Sequence, residues 1–381
     1  MKTEKFNSSG LNLKQTKEIE EIIMRKLATI RTVESINPID GADRLEYITM
    51  KDLGWKVVVG KGELKTGDRV IYFEIDSALP CIPIFDFLKD RCYKRWTNAD
   101  GKVVDECYRI KTVKLRGVVS QGLAVPLSKF DATEAVFSSV EDGYDVTETL
   151  CVRHYDEIAE SYKTDGGVSK GTFPSSWVPK TDAERIQNLM SYFTDCKDVE
   201  FEVTEKADGS SMTVIYSPTI RPENPFFVCS RNQELEYNPE SKWCLYLEKI
   251  KILDKLIQFY NDTGNEYAFQ GELVGPAFNG NRDTYKESVW KIFNIWDIKE
   301  QRYLTPTERI QTTVMLGIPH VKILMTNGKV FDELPTLDAM LKFVEGKTDN
   351  GNEREGCVFK SMDGKIMFKC INNKYLLKEA D

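Results

Sequence analysis

The sequence predicts an α+β protein in two parts, a small β-barrel followed by a mixed domain built on antiparallel sheets. Three observations predict it. Short strand-like runs divided by turn signals fill about the first 125 residues. The composition then changes near residue 161. Beyond that point strand-like runs mix with helical patterns, which reads as α+β.

The first part opens with Lys14–Leu27, where Ile19, Ile22, Ile23 and Leu27 have helical spacing. Strands are expected at Ala28–Val33, Leu45–Met50, Trp55–Val59, Arg69–Glu74, Arg109–Lys114 and Gly122–Val125. Asp40–Gly41, Gly54, Gly67–Asp68 and Arg116–Gly117 supply the turns. An OB-like barrel fits this number of strands, although the count alone does not separate it from an SH3-like one. Residues 161–180, with Gly166–Gly167, Gly171 and Pro174–Ser175–Ser176, read as a linker.

In the second part, Thr181 and Glu184 have the spacing of a capping box. Ile186, Leu189, Met190 and Phe193 then mark one face of a helix. Further helices are expected at 242–260, 305–315 and 336–346. Strands are expected at Val199–Thr204, Met212–Tyr216, Ala268–Leu273, Trp290–Ile298, Gly356–Ser361 and Lys365–Cys370. The expected division is 1–160, helix plus barrel; 161–180, linker; 181–381, mixed domain.

Composition narrows the chemistry. The chain has 381 residues, 41% hydrophobic and 29% charged, which gives each part enough apolar material for a core. Nine cysteines without a Cys-x-x-Cys pair argue against a disulfide framework or structural zinc, and fit a reducing, cytoplasmic setting. No apolar run spans a membrane and no signal peptide is visible. Two histidines, His154 and His320, exclude a site built on several His ligands. Catalysis should therefore rest on Lys, Arg, Asp and Glu. The net charge of −8 speaks weakly against a nucleic-acid partner but says nothing of local patches.

The segment Phe201–Tyr216 carries the strongest chemical signal. A strand runs into Lys206, Asp208–Gly209–Ser210 turns, and a second strand leaves. A partly desolvated lysine at a strand end can serve as a nucleophile. A surface hairpin lysine would look the same, and Lys-x-Asp-Gly alone arises by chance in roughly one such chain in ten. Five more features follow in order on or beside expected strands: Arg231, Gly271–Glu272, Trp296–Asp297, Glu355–Gly356 and Lys369.

Over about residues 180–381 this ordered set resembles the covalent nucleotidyltransferases, which include ATP-dependent RNA and DNA ligases and GTP-dependent mRNA capping enzymes. The β-rich domain comes first, and the chain ends twelve residues after Lys369, so no OB domain is expected after that motif. That order, with Ile371-Asn-Asn-Lys374-Tyr375, resembles the nick-sealing RNA ligase family with an N-terminal OB-like domain.

The resemblance implies ATP and Mg²⁺ or Mn²⁺ as cofactors and Lys206 as the nucleophile that becomes lysyl-AMP. It implies Lys369 as the cation on the α-phosphate, favouring neutral Lys206 by repulsion, with Lys374 as the alternative. Asp208, Glu272 and Glu355 would hold the metal's water shell. Glu205 would contact the nucleotide, Arg231 the ribose or the terminal 5′-phosphate, and Glu272 the ribose as an alternative to the metal. Trp296 would stack on adenine, whereas Phe293, of opposite strand parity, should pack in the core.

The implied partner is a nicked duplex with RNA at the 3′-OH end, bound by a monomer. Between Lys89 and Arg116 nine Lys/Arg face four acids, with Tyr93, Trp96 and Tyr108 interleaved. This stretch, represented by Lys94, Arg95, Lys114 and Arg116, is the candidate phosphate-backbone surface. A capping guanylyltransferase, a DNA ligase and a non-catalytic nucleic-acid-binding protein are the alternatives.

Overall fold

In a computed structural model, the described residues are 25–130, 137, 139–162 and 167–380. The expected helix over 14–27 therefore lies outside them up to residue 24. The chain divides into two compact units. The first ends at Tyr162; the rest of the chain, together with Asp52–Gly54, makes the second. Among the described residues no helix is long and apolar enough to cross a membrane.

The first unit begins with β1 (Ala28–Pro38), β2 (Leu45–Met50), β3 (Val57–Gly60), β4 (Arg69–Phe73) and β5 (Ser77–Leu79). It continues through β6 (Tyr93–Thr97), β7 (Val103–Arg109), β8 (Val113–Leu115), β9 (Val118–Ser120), β10 (Leu123–Pro126) and β11 (Arg153–His154). One sheet runs β10-β4-β1-β2-β3. β1 serves two neighbours, pairing with β4 through Ala28–Thr32 and with β2 from Val33 onward, and its register shifts between Val33 and Ser35. Such an irregularity bends a strand and curls its sheet. The two outer edges are drawn together where Val58 N donates to Ser120 Oγ at 2.9 Å and Gln121 N donates to Lys56 O at 2.9 Å. The result is a nearly closed OB-fold barrel. Its core holds Ile30, Ile71, Phe73 and Val125, with Phe85 edge-on to Phe73 at 5.4 Å.

A second sheet, β11-β5-β7-β6, is not among the expected elements. Its β6–β7 hairpin is rich in charge and pairs Arg95 with Glu106, so it lacks the apolar alternation of a half-buried strand. The expected strand at Arg109–Lys114 is broken. Ile110 turns aside to bond Ser77 and Asp76 through its N–H and C=O, and the next strand starts at Val113.

The second unit contains β12 (Ser169–Thr172), β13 (Glu184–Arg185), β14 (Phe201–Glu205), β15 (Ser210–Tyr216), β16 (Phe226–Cys229) and β17 (Gln233–Leu235). After these come β18 (Tyr267–Val274), β19 (Val289–Asp297), β20 (Arg302–Tyr303), β21 (Ile323–Gly328), β22 (Gly356–Ser361) and β23 (Met367–Ile371). They form a seven-stranded sheet, β12-β17-β16-β15-β18-β19-β20, and a five-stranded sheet, β13-β23-β22-β14-β21. Nearly all pairings are antiparallel; β13 with β23 is parallel. β12 lies inside the segment expected as linker, and nearby Phe173 and Val178 are buried.

The helix expected after the capping box is replaced by β13, a single 3₁₀ turn at Ile186–Asn188 and a short helix at Tyr192–Asp195. Tertiary pairing overrides local propensity here. Glu184 and Arg185 pair with Phe368 and Lys369, and the Thr181 hydroxyl meets that of Ser211 at 3.3 Å. The expected 242–260 helix is two helices, Leu245–Lys249 and Ile252–Thr263, interrupted where Lys251 takes a left-handed conformation at φ 52°. The helix at Pro306–Leu316 forms with Thr305 and Glu308 in a reciprocal cap, and Leu337–Val344 is also helical.

Candidate active site

Strand alternation points Phe201 and Val203 of β14 into an apolar core with Cys357, Phe359 and Phe368. Lys206 N donates to Gly356 O at 2.9 Å beyond the end of the strand. The chain then leaves this sheet. β15 belongs to the seven-stranded sheet and pairs with β18, so Lys206–Gly209 is a crossing between two sheets rather than a hairpin tip. Gly209 is required by space: a Cβ there would lie 2.4 Å from Leu273 O. Gly356 is as confined, with Cys370 O 2.3 Å from such a carbon.

The crossing gathers charge. Lys206 Nζ lies 2.7 Å from Glu355 Oε1. Burial works against the ammonium, but Glu355 and Glu272 outweigh it and hold the Lys206 pKa above its ordinary value; Arg231 pulls the other way. Lys206 is thus held as an ammonium and must lose its proton before it can act as a nucleophile. Glu272 Oε1 accepts from Gly209 N at 3.1 Å. Burial pushes the Glu272 carboxyl up to about 7, with Lys206 and Arg231 opposing and Glu355 and Asp208 adding to it. Burial also raises Glu355, opposed by Lys206, and one of its oxygens, Oε2, is buried without a hydrogen-bond partner.

Asp208 Oδ2 accepts from Tyr375 OH at 2.5 Å, and Asn279 donates to Oδ1. Arg282 Nη1 donates to the same tyrosine hydroxyl at 2.5 Å. Among the described residues no three His, Cys, Asp or Glu side chains are grouped for direct metal ligation.

Other candidates are spread more widely. Lys369 Nζ bonds Asp182 Oδ1 at 2.5 Å, while its charge still acts on Glu355. Lys374 pairs at the surface with Glu345 at 2.8 Å. Glu205 is buried among Arg354, Lys291 and Asp283, and its carboxyl is raised chiefly by burial. Trp296 sits opposite Ala268, roughly 13 Å along β18 from Glu272 at strand rise. Its Nε1 donates to Trp177 O at 3.0 Å and its ring meets Tyr303 edge-on at 5.0 Å.

Phe293 departs from expectation. It is half-buried, not core, because it is the extra residue of a β-bulge: Gln270 pairs with Asn294 and Gly271 with Ile292. An inserted residue reverses the alternation of every side chain after it. In the first unit Lys94, Arg95, Lys114 and Arg116 are all exposed, the first two on β6, Lys114 on β8 and Arg116 in the turn after it.

Sequence reasoning missed Asp182, Asn279, Arg282 and the role of Tyr375. The tyrosine had a signal, its place in the closing motif; the other three had none.

An OB-fold domain family model matches residues 27–127, and the RNA ligase family model matches residues 199–375. No curated protein sequence matches. Among solved structures, the chain is similar to a Lys-to-Met variant of Naegleria gruberi RNA ligase with AMP and Mn, at 35% identity. That match covers 93% of this chain and 99% of that one, with a TM-score of 0.77. A Glu-to-Ala variant of the Naegleria gruberi enzyme with ATP and Mn matches at 35% identity over 94% and 100% of the two chains, TM-score 0.78. The same ligase with PPi matches at 36% identity over 93% and 99%, TM-score 0.78. At that identity and coverage, this chain belongs to the RNA ligase family, with an OB-fold domain ahead of its ligase domain.

Proposed function

We propose that this RNA ligase uses ATP to seal 3′-OH/5′-phosphate nicks in a duplex through a lysyl-AMP intermediate. The observation that carries the reading is Lys206 at the crossing between sheets, paired to Glu355 and within the field of Glu272 and Arg231. Phosphoryl transfer depends on placing a nucleophile and balancing charge, and this cluster does both. Once deprotonated, Lys206 Nζ attacks the α-phosphorus; a P–N bond forms, the α–β bridging P–O bond breaks, and pyrophosphate leaves. The AMP then passes to the 5′-phosphate at the nick, freeing Lys206. Finally the 3′-hydroxyl attacks that phosphate, a phosphodiester forms and AMP leaves.

Arg231 and Lys369 supply positive charge to phosphate oxygens, Lys369 by leaving Asp182. Trp296 stacks on adenine, and Glu205 contributes to nucleotide binding. Crowded carboxylates at Glu272 and Glu355, one with an unpartnered oxygen, are donors suited to a hard cation. With Asp208 they would hold Mg²⁺ or Mn²⁺ through its waters. The metal, when bound, neutralises phosphate charge and steadies the leaving group.

The likeness to an RNA ligase solved with ATP and Mn supports both cofactors. Lys94, Arg95, Lys114 and Arg116 grip the duplex. Nine free cysteines suit a monomer working in the reducing cytoplasm.

The test is a labelling gel with [α-³²P]ATP and a divalent metal. Wild type should carry label and Lys206→Ala none; label surviving in the mutant, or label from GTP alone, would overturn the reading. Nicked duplexes with RNA or DNA at the 3′-OH end then check the substrate, RNA being required.

A further inference from the structure

We infer that Lys360 is a positioning residue for nucleotide binding: it pins the β-bulge at Phe293 and thereby sets the face on which Trp296 stands. The inference rests on the reading that Trp296 stacks on adenine.

Lys360 lies on β22, is 5% exposed, and its Nζ donates to Phe293 O across to β19. A buried lysine is costly unless something requires it. Its surroundings make it costlier: Glu202, 1% exposed, is already paired with Arg309, also 1% exposed. Arg309 Nε further donates to His320 Nε2 at 2.9 Å, and His320 Nδ1 is hydrogen-bonded to Val321 O. With Glu202 already paired to Arg309, Lys360 is a second basic group on one buried carboxylate. Burial and Arg309 accordingly push its pKa well down, against Glu202. A group kept under those conditions is held by the contact it makes.

That contact falls on the bulged residue. Trp290 and Ile292 face the core on one side of the seven-stranded sheet, and so does Ile295. Two even positions and one odd share a face because Phe293 adds a residue between them. Without the bulge, Trp296 would turn toward that core. With it, Trp296 lies beside Ala268, Ile215 and Phe227 on the opposite face. Alternation places Gln270 and Glu272 on that face as well. One hydrogen bond from the five-stranded sheet thus fixes the side chain orientation of the other.

The test is a double-mutant cycle on the full chain, following lysyl-AMP formation against ATP concentration. Lys360→Met should raise the KM for ATP about tenfold, the scale of a lost base–aromatic stack, and change the rate at saturation by less than about threefold. Its melting temperature should stay within about 5 °C of wild type, because the variant replaces a buried amine whose charged form the site disfavours with an apolar chain of similar length. Trp296→Ala should raise KM similarly, and Lys360→Met added to it should cost little more.

If the two effects multiply, Lys360 does not act through Trp296 and the inference is wrong. If Trp296→Ala leaves KM unchanged, the stacking role itself fails and takes the inference with it. Should Lys360→Met not fold, Lys360→Gln, which keeps an N–H donor, takes its place in the cycle, and multiplying effects would again overturn the inference.

Discussion

Replacing Glu272 by Gln should stabilise the ligase domain at pH 8 and only about a quarter as much at pH 5. An ordinary glutamate titrates near 4.5, whereas burial pushes Glu272 up to about 7. Between those values the folded domain binds a proton that the unfolded chain has lost. Below about pH 4.5 both states are protonated and the site costs nothing. As pH rises toward 7, stability falls, and above 7 the full cost of a buried carboxylate remains. The gap corresponds to about 3 kcal/mol at 1.36 kcal/mol per pH unit, and partial exposure of the side chain trims this to roughly 2–3.

Gln keeps the oxygen that accepts from Gly209 N, so the substitution removes charge with little change of shape. In a domain of this size the gain is about 5–10 °C in melting temperature. Thermal unfolding in a chelator at pH 5 and pH 8, read by tryptophan fluorescence, measures it. The gain in stability should accompany a loss of ligase activity, as expected where a site is built at the expense of the fold. A variant no more stable than wild type at pH 8, or equally stabilised at both pH values, refutes the reasoning.

Other outcomes follow from the same geometry. Gly209→Ala should abolish lysyl-AMP formation, because its methyl meets the Leu273 carbonyl; full labelling of a folded variant would show that the crossing has room. Tyr375→Phe removes the 2.5 Å bond to Asp208 and should slow adenylation about tenfold while leaving thermal stability nearly intact. Glu202→Gln leaves Arg309 as a buried cation without a counter-charge and should destabilise by about 3–5 kcal/mol in denaturant titration. The lysyl-AMP rate at saturating ATP should climb with pH through the alkaline range, since Glu355 and Glu272 raise Lys206; a flat profile from about pH 7 to 10 would argue for another proton acceptor.

The ligase domain is legible because its chemistry sits at strand ends, where short motifs and turn residues occur together. Lys206 and Glu355 are visible for that reason, and the structure pairs them, with Glu272 close enough for its charge to act on both. What stays hidden depends on long-range pairing. β13 contradicts a good capping box because its partner lies near residue 368. The bulge at Phe293 escapes any period-two pattern, since one added residue reverses every position after it. Asp182 gives no local sign of its tie to Lys369, 187 positions away in the chain. The charged β6–β7 hairpin reads only as a basic stretch, because most of its residues are exposed or half-buried and its buried pair, Cys107 and Tyr108, is adjacent rather than alternating.

The four-residue passage from β14 to β15 has a mechanical consequence. A nucleophile fixed to one sheet would keep its place while the other sheet moved. Lys206 is tethered at both ends, by Gly356 O on one side and by Gly209 wedged against Leu273 on the other. Any change in the angle between the sheets must therefore twist this short tether and re-aim its amine. A movement that drew the two sheets together would carry the attacking nitrogen with it.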